Sequence, residues 1–365
     1  MKISSLALED FSNNVQSLWS EPIPTLSEVP SSLEFLKNFV SLSKPCILQN
    51  VPLLAGGRKS LTIDDLCEDA ASNEVNVMVD VTPDGYGDCV RTVDGKNMFV
   101  MPQEKRMSLE EFKSKLRCGG GGRDELHYGH RGDTSTLKEY PLFTSNVSAT
   151  EKESGSDVNE TSAVYYYSRQ NDCLRQELPS LHDQNYVPPT VLPLAEAFAS
   201  SQPEAINIWI GNAHATSSMH KDFYENLYYV CSGEKTFVLC PPCEALVLKE
   251  TEVPTGRFGK DENGKWCVHS ELDDEGVQSM TRWIESDVEQ LLPCDGETYD
   301  SPSFLKRKTV FLQRYPMLTN LKPIRITIKE GEMLYLPALW YHKVSQSCET
   351  VAVNYWYDMR FDSPR

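Results

Sequence analysis

The stretch that best indicates the fold is HKDFYENLYYVCSGEKTFVLCPP, residues 220–242. It holds two runs rich in aromatic and β-branched residues, and a Ser-Gly pair separates them, which is typical of two strands joined by a hairpin turn. The prolines after Cys240 end the second strand, because proline cannot donate a ladder hydrogen bond. A second stretch, IRITIKEGEMLYLPALWYHKV at 324–344, repeats this pattern around a Glu-Gly turn. The two stretches predict a protein built mainly from β-strands.

Further strand-like stretches lie on both sides of these two. They are AVYYYSRQ (163–170), AINIWIGN (205–212) and TVAVNYWYDM (350–359). Because turns and not helices join the strands, they predict an antiparallel barrel of two sheets, the double-stranded β-helix (cupin or jelly-roll) architecture, with flanking helices. The interior of such a barrel is lined by every second residue of each strand.

The chain divides into three parts by composition. Residues 1–117 alternate strand patterns with helical patterns, which lie before residue 20, over 31–40 and over 108–116, and this part is expected to pack on the barrel. Residues 118–162 combine a run of four glycines with a Ser/Thr/Glu-rich tract, so we expect a mobile insertion. Residues 163–365 form the predicted barrel, interrupted by a long insertion at about 244–321. That insertion contains Trp283 and other aromatic residues, which predicts that part of it packs as a cover.

The charge balance restricts the classes of partner. With 35 basic and 53 acidic residues the net charge is −18, which opposes direct binding to nucleic acid. A cationic protein partner fits this charge, although a highly soluble surface explains it equally. No stretch has the length and apolarity of a signal peptide or a membrane span. We therefore expect no membrane contact and a cytoplasmic protein, with a nuclear pool as an open alternative.

Metal-ligand chemistry is found at the start of the first stretch. His220 and Asp222 are two residues apart in a strand-like segment, so both side chains point to the same face. His342 follows the apolar run of the second stretch and would return toward them from the far end of the barrel. Two histidines and one carboxylate form the facial triad of non-haem Fe(II) oxygenases, which leaves three coordination positions free. Zinc hydrolysis with the same ligands, or a core role for His342, remain alternatives.

Lys235 is the next informative residue. It follows the Ser-Gly turn and precedes the apolar run Thr-Phe-Val-Leu, which predicts partial burial. A buried ammonium requires an anion. The distal carboxylate of a 2-oxo diacid would supply one, whereas a lysine that reaches water from the turn would need none.

The chain resembles the JmjC-domain oxygenases, and within them the lysyl hydroxylase branch. The similarity is seen in the spacing of His220, Asp222, Lys235 and His342 and in five longer stretches, which are VTPDGYGDCV (81–90), FVMPQEKR (99–106), HKDFYENLYYVCSGEK (220–235), GEMLYLPALWYHKV (331–344) and VNYWYDM (353–359). It covers nearly the whole chain apart from the two insertions.

The resemblance implies a cofactor site. Fe(II) would be held by His220, Asp222 and His342, and the distal carboxylate of the co-substrate 2-oxoglutarate by Lys235. The resemblance also implies roles for four further residues. Tyr166 would donate its hydroxyl to that carboxylate, and Ser217 would make a hydroxyl contact at a position where the family usually has threonine. Asn226 and Asn354 would supply amides to the pocket. Phe223 stands where relatives often have histidine, so we expect it in the pocket wall.

The activity implied is dioxygen-dependent hydroxylation of a protein lysine at C-3. Substrates of this branch include GTPases of the developmentally regulated GTP-binding type, and the resemblance is compatible with a homodimer. A JmjC histone lysine demethylase would share every cofactor residue, and a peptidase acting on histone tails is a further alternative. A non-enzymatic cupin binding module is the alternative from another class.

Overall fold

The computed structural model describes residue 10 and residues 13–14, 22–51, 60–68, 75–118, 163–179, 193–198, 200 and 202–359. The strands are β1 (Thr25–Leu26), β2 (Cys46–Leu48), β3 (Asn76–Thr82), β4 (Cys89–Val93), β5 (Lys96–Met101), β6 (Gln103–Ser108), β7 (Val164–Tyr166), β8 (Ala205–Gly211), β9 (Ser217–Lys221), β10 (Tyr224–Ser232), β11 (Glu234–Cys240), β12 (Thr251–Lys260), β13 (Trp266–Ser270), β14 (Met280–Trp283), β15 (Ile324–Lys329), β16 (Met333–Leu336), β17 (Tyr341–Ser345) and β18 (Thr350–Asp358).

Short helices lie between these strands. The α-helices of the described residues are Ser32–Asn38, Ile63–Glu68, Leu109–Cys118, Cys173–Glu177, Ala245–Leu248 and Pro302–Arg314. Single 3₁₀ turns are found at Val40–Leu42, Pro193–Ala197, Pro242–Glu244, Val288–Leu291 and Pro316–Leu318. None of the described helices is both long enough and apolar enough to span a membrane.

Two facing sheets form the barrel. The larger sheet has the strand order β1-β2-β16-β10-β18-β8, and the smaller has β15-β11-β17-β9. Every pairing within them is antiparallel except that of β1 with β2. Side chains from both sheets, among them Tyr228 and Phe237, share one apolar cluster between the sheets. The predicted double-stranded β-helix is confirmed.

The two glycine turns connect the sheets to each other. Gly233 joins β10 of the larger sheet to β11 of the smaller, and Gly331 lies between β15 and β16 in the same way. The two predicted strands and the turn between them are present, but β10 and β11 do not pair with each other as a hairpin, because each pairs with other strands in a different sheet. Gly233 has φ +76, and a Cβ there would lie 2.6 Å from the carbonyl oxygen of Glu349. Only glycine satisfies both the backbone conformation and the space at this turn.

The larger sheet is buried on both faces. On β10, Tyr228 and Val230 face the barrel interior, whereas Leu227 and Tyr229 belong to the cluster on the outer side. The helix Ser32–Asn38 packs there through Phe35, which is fully buried. Burial on both faces explains why these strands are mostly apolar and do not alternate apolar with polar residues.

The predicted helices of the N-terminal part are partly confirmed. The pattern over 31–40 corresponds to Ser32–Asn38, which begins with a capping box of Ser31 and Glu34. The pattern over 108–116 corresponds to Leu109–Cys118. The helix expected before residue 20 falls almost wholly outside the described residues, as does the predicted mobile insertion at 118–162 after its first residue.

The insertion at 244–321 is joined to both the N-terminal part and the barrel. Its strand β12 pairs in parallel with β5 and antiparallel with β13 and β14, which makes a sheet shared with the N-terminal part. Phe311 from the helix Pro302–Arg314 packs with Val238 and Tyr341, which lie on the smaller sheet of the barrel. The insertion thus covers the outside of the sheet that carries two of the predicted metal ligands.

Candidate metal and co-substrate site

Three side chains with metal-ligand chemistry converge at one end of the smaller sheet. His220 on β9 pairs in register with His342 on β17, and Asp222 follows directly after β9. An Asp222 carboxylate oxygen lies 3.5 Å from His342 Nε2 and 4.0 Å from His220 Nε2. The three potential ligand atoms all lie within 4.8 Å of one another. A single ion could contact all of them.

Backbone carbonyls orient both imidazoles. His220 Nδ1 lies 2.7 Å from the oxygen of Ser218, and His342 Nδ1 lies 2.9 Å from that of Trp340. A carbonyl oxygen can only accept a hydrogen bond, so each Nδ1 carries the proton. Each Nε2 then presents its lone pair toward Asp222, as in metal sites whose ligands are fixed by a second hydrogen bond.

The ionisation states suit metal binding. Burial, together with the nearby His342, lowers the pKa of His220 to about 4. Burial alone would raise the pKa of Asp222, but its contacts with the His342 and His220 imidazoles bring it below its ordinary value. At neutral pH the site therefore combines a neutral His220 with a carboxylate, the forms that coordinate a cation.

Lys235 is fully buried in the barrel wall and has only neutral partners. Its side chain on β11 is 1% exposed, and its ammonium donates to the Tyr166 hydroxyl at 3.3 Å and to Oε1 of Gln346. No carboxylate of the described residues forms an ion pair with it. Burial accordingly lowers the pKa of Lys235 to about 7. The predicted burial is confirmed, and the ammonium lacks the anion that burial demands.

The other predicted pocket residues surround the triad. Tyr166, Ser217, Asn226 and Asn354 all line the same cavity, and the Asn354 amide donates to Asn226 at 3.3 Å. Trp209 in turn donates to the Asn354 carbonyl oxygen at 2.9 Å. The structure thus brings together residues from β7, β9, β10 and β18, whereas Lys235 reaches Tyr166 from β11.

Phe223 departs from its expected position. Its side chain is 54% exposed and does not line the cavity. It follows Asp222 immediately after β9 has ended, so the inward alternation of the strand no longer applies. The expected place in the pocket wall is wrong.

The cavity itself has a volume of about 730 Å³, counted with its open mouth. The three residues of the triad are among those that line it. Several lining residues were not identified from the sequence, and they are Asp80, Asp88, Ser168, Trp209, Trp283 and Trp356. Most of them come from segments far from the triad in the chain, so no local motif indicated them.

Trp283 brings the long insertion into the site. Its indole lies parallel to the His220 ring, with an interplanar angle of 7° and centroids 5.8 Å apart. Its Nε1 donates to Ser218 Oγ at 2.9 Å, and that hydroxyl donates to the backbone oxygen of Asp88 at 2.5 Å. Trp283 is thus a residue of the insertion that packs over the metal-ligand site, as expected of a cover.

Two carboxylates lie on the wall of the cavity. Asp80 is half-buried and accepts a hydrogen bond from Ser168 at 2.5 Å. Burial raises the pKa of Asp80 to about 7 in spite of that hydrogen bond. The Asp88 side chain is exposed, and among the described residues none donates a hydrogen bond to its carboxylate. Desolvation by the surrounding protein also raises the pKa of Asp88, to about 6, so a cationic group that entered the cavity beside these two residues would favour the ionised form of both.

Comparison with known proteins agrees with this geometry. The family of the cupin-like domain matches residues 31–363. The human bifunctional peptidase and (3S)-lysyl hydroxylase JMJD7 is 31% identical over 93% of this chain and 85% of its own length. The lysine-specific demethylase JMJ32 of Arabidopsis thaliana is 29% identical over 95% of this chain and 87% of its own. JmjC domain-containing protein E of Dictyostelium discoideum is 27% identical over 92% of this chain and 83% of its own. The chain therefore belongs to the cupin-like JmjC family, whose members generally use Fe(II) and 2-oxoglutarate.

Proposed function

We propose that this protein is an Fe(II)- and 2-oxoglutarate-dependent hydroxylase of protein lysine side chains. The observation that carries the proposal is the combination of two features, one on the cavity and one directly behind its lining residue Tyr166. One is the convergent His220, Asp222 and His342, and the other is the buried ammonium of Lys235, which has no anion among the described residues. A divalent cation would bind the three ligand side chains, and a carboxylate of a dicarboxylic co-substrate would pair with the Lys235 ammonium.

The donor set fits iron. Two imidazole nitrogens and one carboxylate leave three positions of an octahedron free, which suits Fe(II) with a bidentate 2-oxo acid and dioxygen. When bound, these groups would supply the oxidation that places one oxygen atom into a substrate C–H bond and converts 2-oxoglutarate to succinate and carbon dioxide.

The protein's own residues bind and orient. Tyr166 and Lys235 would hold the distal carboxylate of 2-oxoglutarate, and Ser217 hydrogen-bonds to the Tyr166 hydroxyl. Asn226 and Asn354 present amides from the adjacent strands β10 and β18. The indole of Trp283 lies parallel to the His220 ring, where it would help to exclude water from the metal site. Positioning and exclusion of water are what a protein adds to cofactor chemistry.

A lysine substrate is supported by charge and by similarity. The human relative is described as a lysyl hydroxylase. Asp80 and Asp88 on the cavity wall would attract an ammonium, and Trp283 offers an apolar surface to the methylene chain. A GTPase of the developmentally regulated GTP-binding type is the protein substrate that we propose to test first.

Intact-mass analysis distinguishes this reaction from its alternatives. Candidate proteins and methylated histone peptides would be incubated with the enzyme, Fe(II), 2-oxoglutarate and oxygen. A gain of one oxygen on the protein supports hydroxylation, and loss of a methyl group would support demethylation, the activity in the name of the Arabidopsis relative. Chain cleavage would support the peptidase activity in the name of the human one. Either of the latter results, without oxygen incorporation, would overturn the proposal.

The affinity for 2-oxoglutarate should fall as pH rises. Lys235 has a pKa of about 7 without an anion, and the bound carboxylate favours its charged form. Binding therefore needs no proton below pH 7 and must take one up above it, so the affinity should drop by up to about tenfold per pH unit between 7 and 9. Calorimetry with Mn(II)-loaded protein, in buffers of different ionisation enthalpy, measures both the affinity and the protons taken up. A flat affinity with no proton uptake over this range would contradict the prediction.

Removal of the wall carboxylates should weaken the lysine substrate selectively. The double variant Asp80→Asn and Asp88→Asn should lower kcat/KM for a lysine-containing protein by about tenfold or more, because charge-assisted contacts to the ammonium are lost. The affinity for 2-oxoglutarate should change little. The control is Asp274→Asn, which makes the same aspartate-to-asparagine change at an exposed residue that does not line the cavity. Equal kcat/KM in the double variant and the control would exclude this wall as the binding site.

A further inference from the structure

The environment of Lys235 depends on a residue that no motif indicated. Gln346 lies four positions after His342, just beyond the end of β17, and its side chain is 6% exposed inside the barrel. Its Oε1 accepts a hydrogen bond from the Lys235 ammonium, and its Nε2 donates to the backbone oxygen of Asn212 at 2.7 Å. Both ends of the amide are therefore engaged.

The orientation of this amide is determined by its neighbours. A carbonyl oxygen such as that of Asn212 can only accept, so Nε2 must face it, and Oε1 must face Lys235. Gly211 makes room for the arrangement. A Cβ at Gly211 would lie 2.3 Å from Gln346 Nε2 and 2.7 Å from the Tyr166 ring. The backbone is thus shaped to admit both of the groups that contact the ammonium.

The chemical type of the contact matters as much as its place. An amide oxygen satisfies one ammonium hydrogen without cancelling the charge, whereas a carboxylate in the same place would form a buried ion pair. Since the other hydrogen-bond partner of the ammonium, the Tyr166 hydroxyl, is also neutral, the positive charge of Lys235 stays available. An anion entering the cavity would find it uncompensated.

We propose that Gln346 is a positioning residue, which holds the Lys235 ammonium beside the Tyr166 hydroxyl of the cavity wall with a neutral acceptor and so reserves its charge for the co-substrate carboxylate. The inference rests on the proposed 2-oxoglutarate site. Neither Gln346 nor Lys235 lines the cavity itself, and the ammonium adjoins it through Tyr166, which does. The amide, as opposed to an acid of the same shape, is the feature that binding requires.

Two substitutions separate charge from shape. Gln346→Glu keeps the shape and adds a carboxylate, so the co-substrate must compete with an internal ion pair, and its affinity should fall by about tenfold or more at pH 7. Gln346→Met keeps the bulk and removes the acceptor, so the loss should be smaller. Gln313→Glu, the same chemical change on the exposed face of the helix Pro302–Arg314, is the matched control and should bind as the wild type does.

The pH profile supplies a readout that a purely structural role would not change. Gln346 does not titrate. The titratable groups that act on Lys235 are the Tyr166 hydroxyl, whose pKa burial raises far above neutrality, and the Cys348 thiol. In Gln346→Glu the ion pair should keep Lys235 charged, so the affinity should be weak and flat between pH 7 and 9. In Gln346→Met the fall in affinity should begin at a lower pH than in the wild type.

Calorimetric titration of 2-oxoglutarate into the full-length proteins loaded with Mn(II) tests these expectations, with Mn(II) affinity and thermal melting as controls. Wild-type affinity and pH profile in Gln346→Glu would overturn the proposal. If Gln346→Glu does not fold, Gln346→Met decides alone, and an unshifted profile in it would be the negative result. Absence of 2-oxoglutarate binding to the wild type would instead refute the proposed function itself.

Discussion

Replacing Lys235 by alanine should lower the affinity for 2-oxoglutarate by roughly thirty- to a thousand-fold, which corresponds to about 2 to 4 kcal/mol. The side chain is 1% exposed, so the variant would leave the distal carboxylate in a pocket that water cannot fill freely. The Tyr166 hydroxyl would remain as a donor, but a neutral hydroxyl cannot replace the charge. Calorimetric titration of the Mn(II)-loaded variant against the wild type measures the effect.

Two observations control the Lys235 result. Mn(II) affinity should barely change, because Lys235 contacts Tyr166 and Gln346 and not the triad. Lys235→Arg should rescue binding only in part, since a broad planar guanidinium does not fit a slot shaped for a point charge. If 2-oxoglutarate bound Lys235→Ala as tightly as the wild type, the oxygenase assignment would lose its most specific support.

Replacing Asp222 by alanine should abolish turnover through loss of the metal. Asp222 is the only anionic member of the triad, and a change in the outer shell of a metal site already costs about ten- to a hundred-fold in affinity. We expect the loss of a ligand itself to lower the metal affinity by at least about a hundred-fold. Electron paramagnetic resonance of free Mn(II) during a titration gives the affinity, and 2-oxoglutarate consumption in metal-defined buffer gives the turnover.

The fold should survive this substitution. The contact of Asp222 with Leu339 is made by its backbone oxygen, at 2.8 Å, so alanine retains it. Melting of the variant and the wild type in chelator should therefore agree within a few degrees. Asp222→Asn, which keeps the shape and removes the charge, should behave like alanine in metal affinity. Retained 2-oxoglutarate turnover in Asp222→Ala would contradict the assignment of the triad.

The site is built by segments that are distant in the chain. The insertion supplies Trp283 beside His220, and its residues Asp287 and Glu289 form ion pairs with the buried Lys343 next to His342. The N-terminal part supplies Asp80 and Asp88 on the cavity wall. The two barrel sheets and the residue after β9 thus supply the triad, Lys235 and the pocket amides, whereas Tyr166 and the wall carboxylates come from segments packed around the barrel.

The sequence by itself determined the features that depend on local order. Strand periodicity placed His220 and Asp222 on one face, the glycine turns bounded the strands, and an apolar strand predicted the burial of Lys235. The full-length similarity then indicated Tyr166, Ser217, Asn226 and Asn354, which the structure places around one cavity. The strand and burial predictions agree with the structure because a two-residue period or a positive φ at glycine is set within a few residues.

Only the tertiary structure decided which distant side chains meet. Tyr166 and Lys235 are 69 positions apart, Lys235 and Gln346 are 111 apart, and Ser218 and Trp283 are 65 apart. Periodicity tells which face a residue occupies but not which strand lies beside it or in what register, and it could not show that the Ser-Gly turn crosses between sheets. The roles of Gln346, Trp283 and the wall carboxylates could therefore be recognised only in the folded structure, because each contacts a partner that the local sequence does not specify.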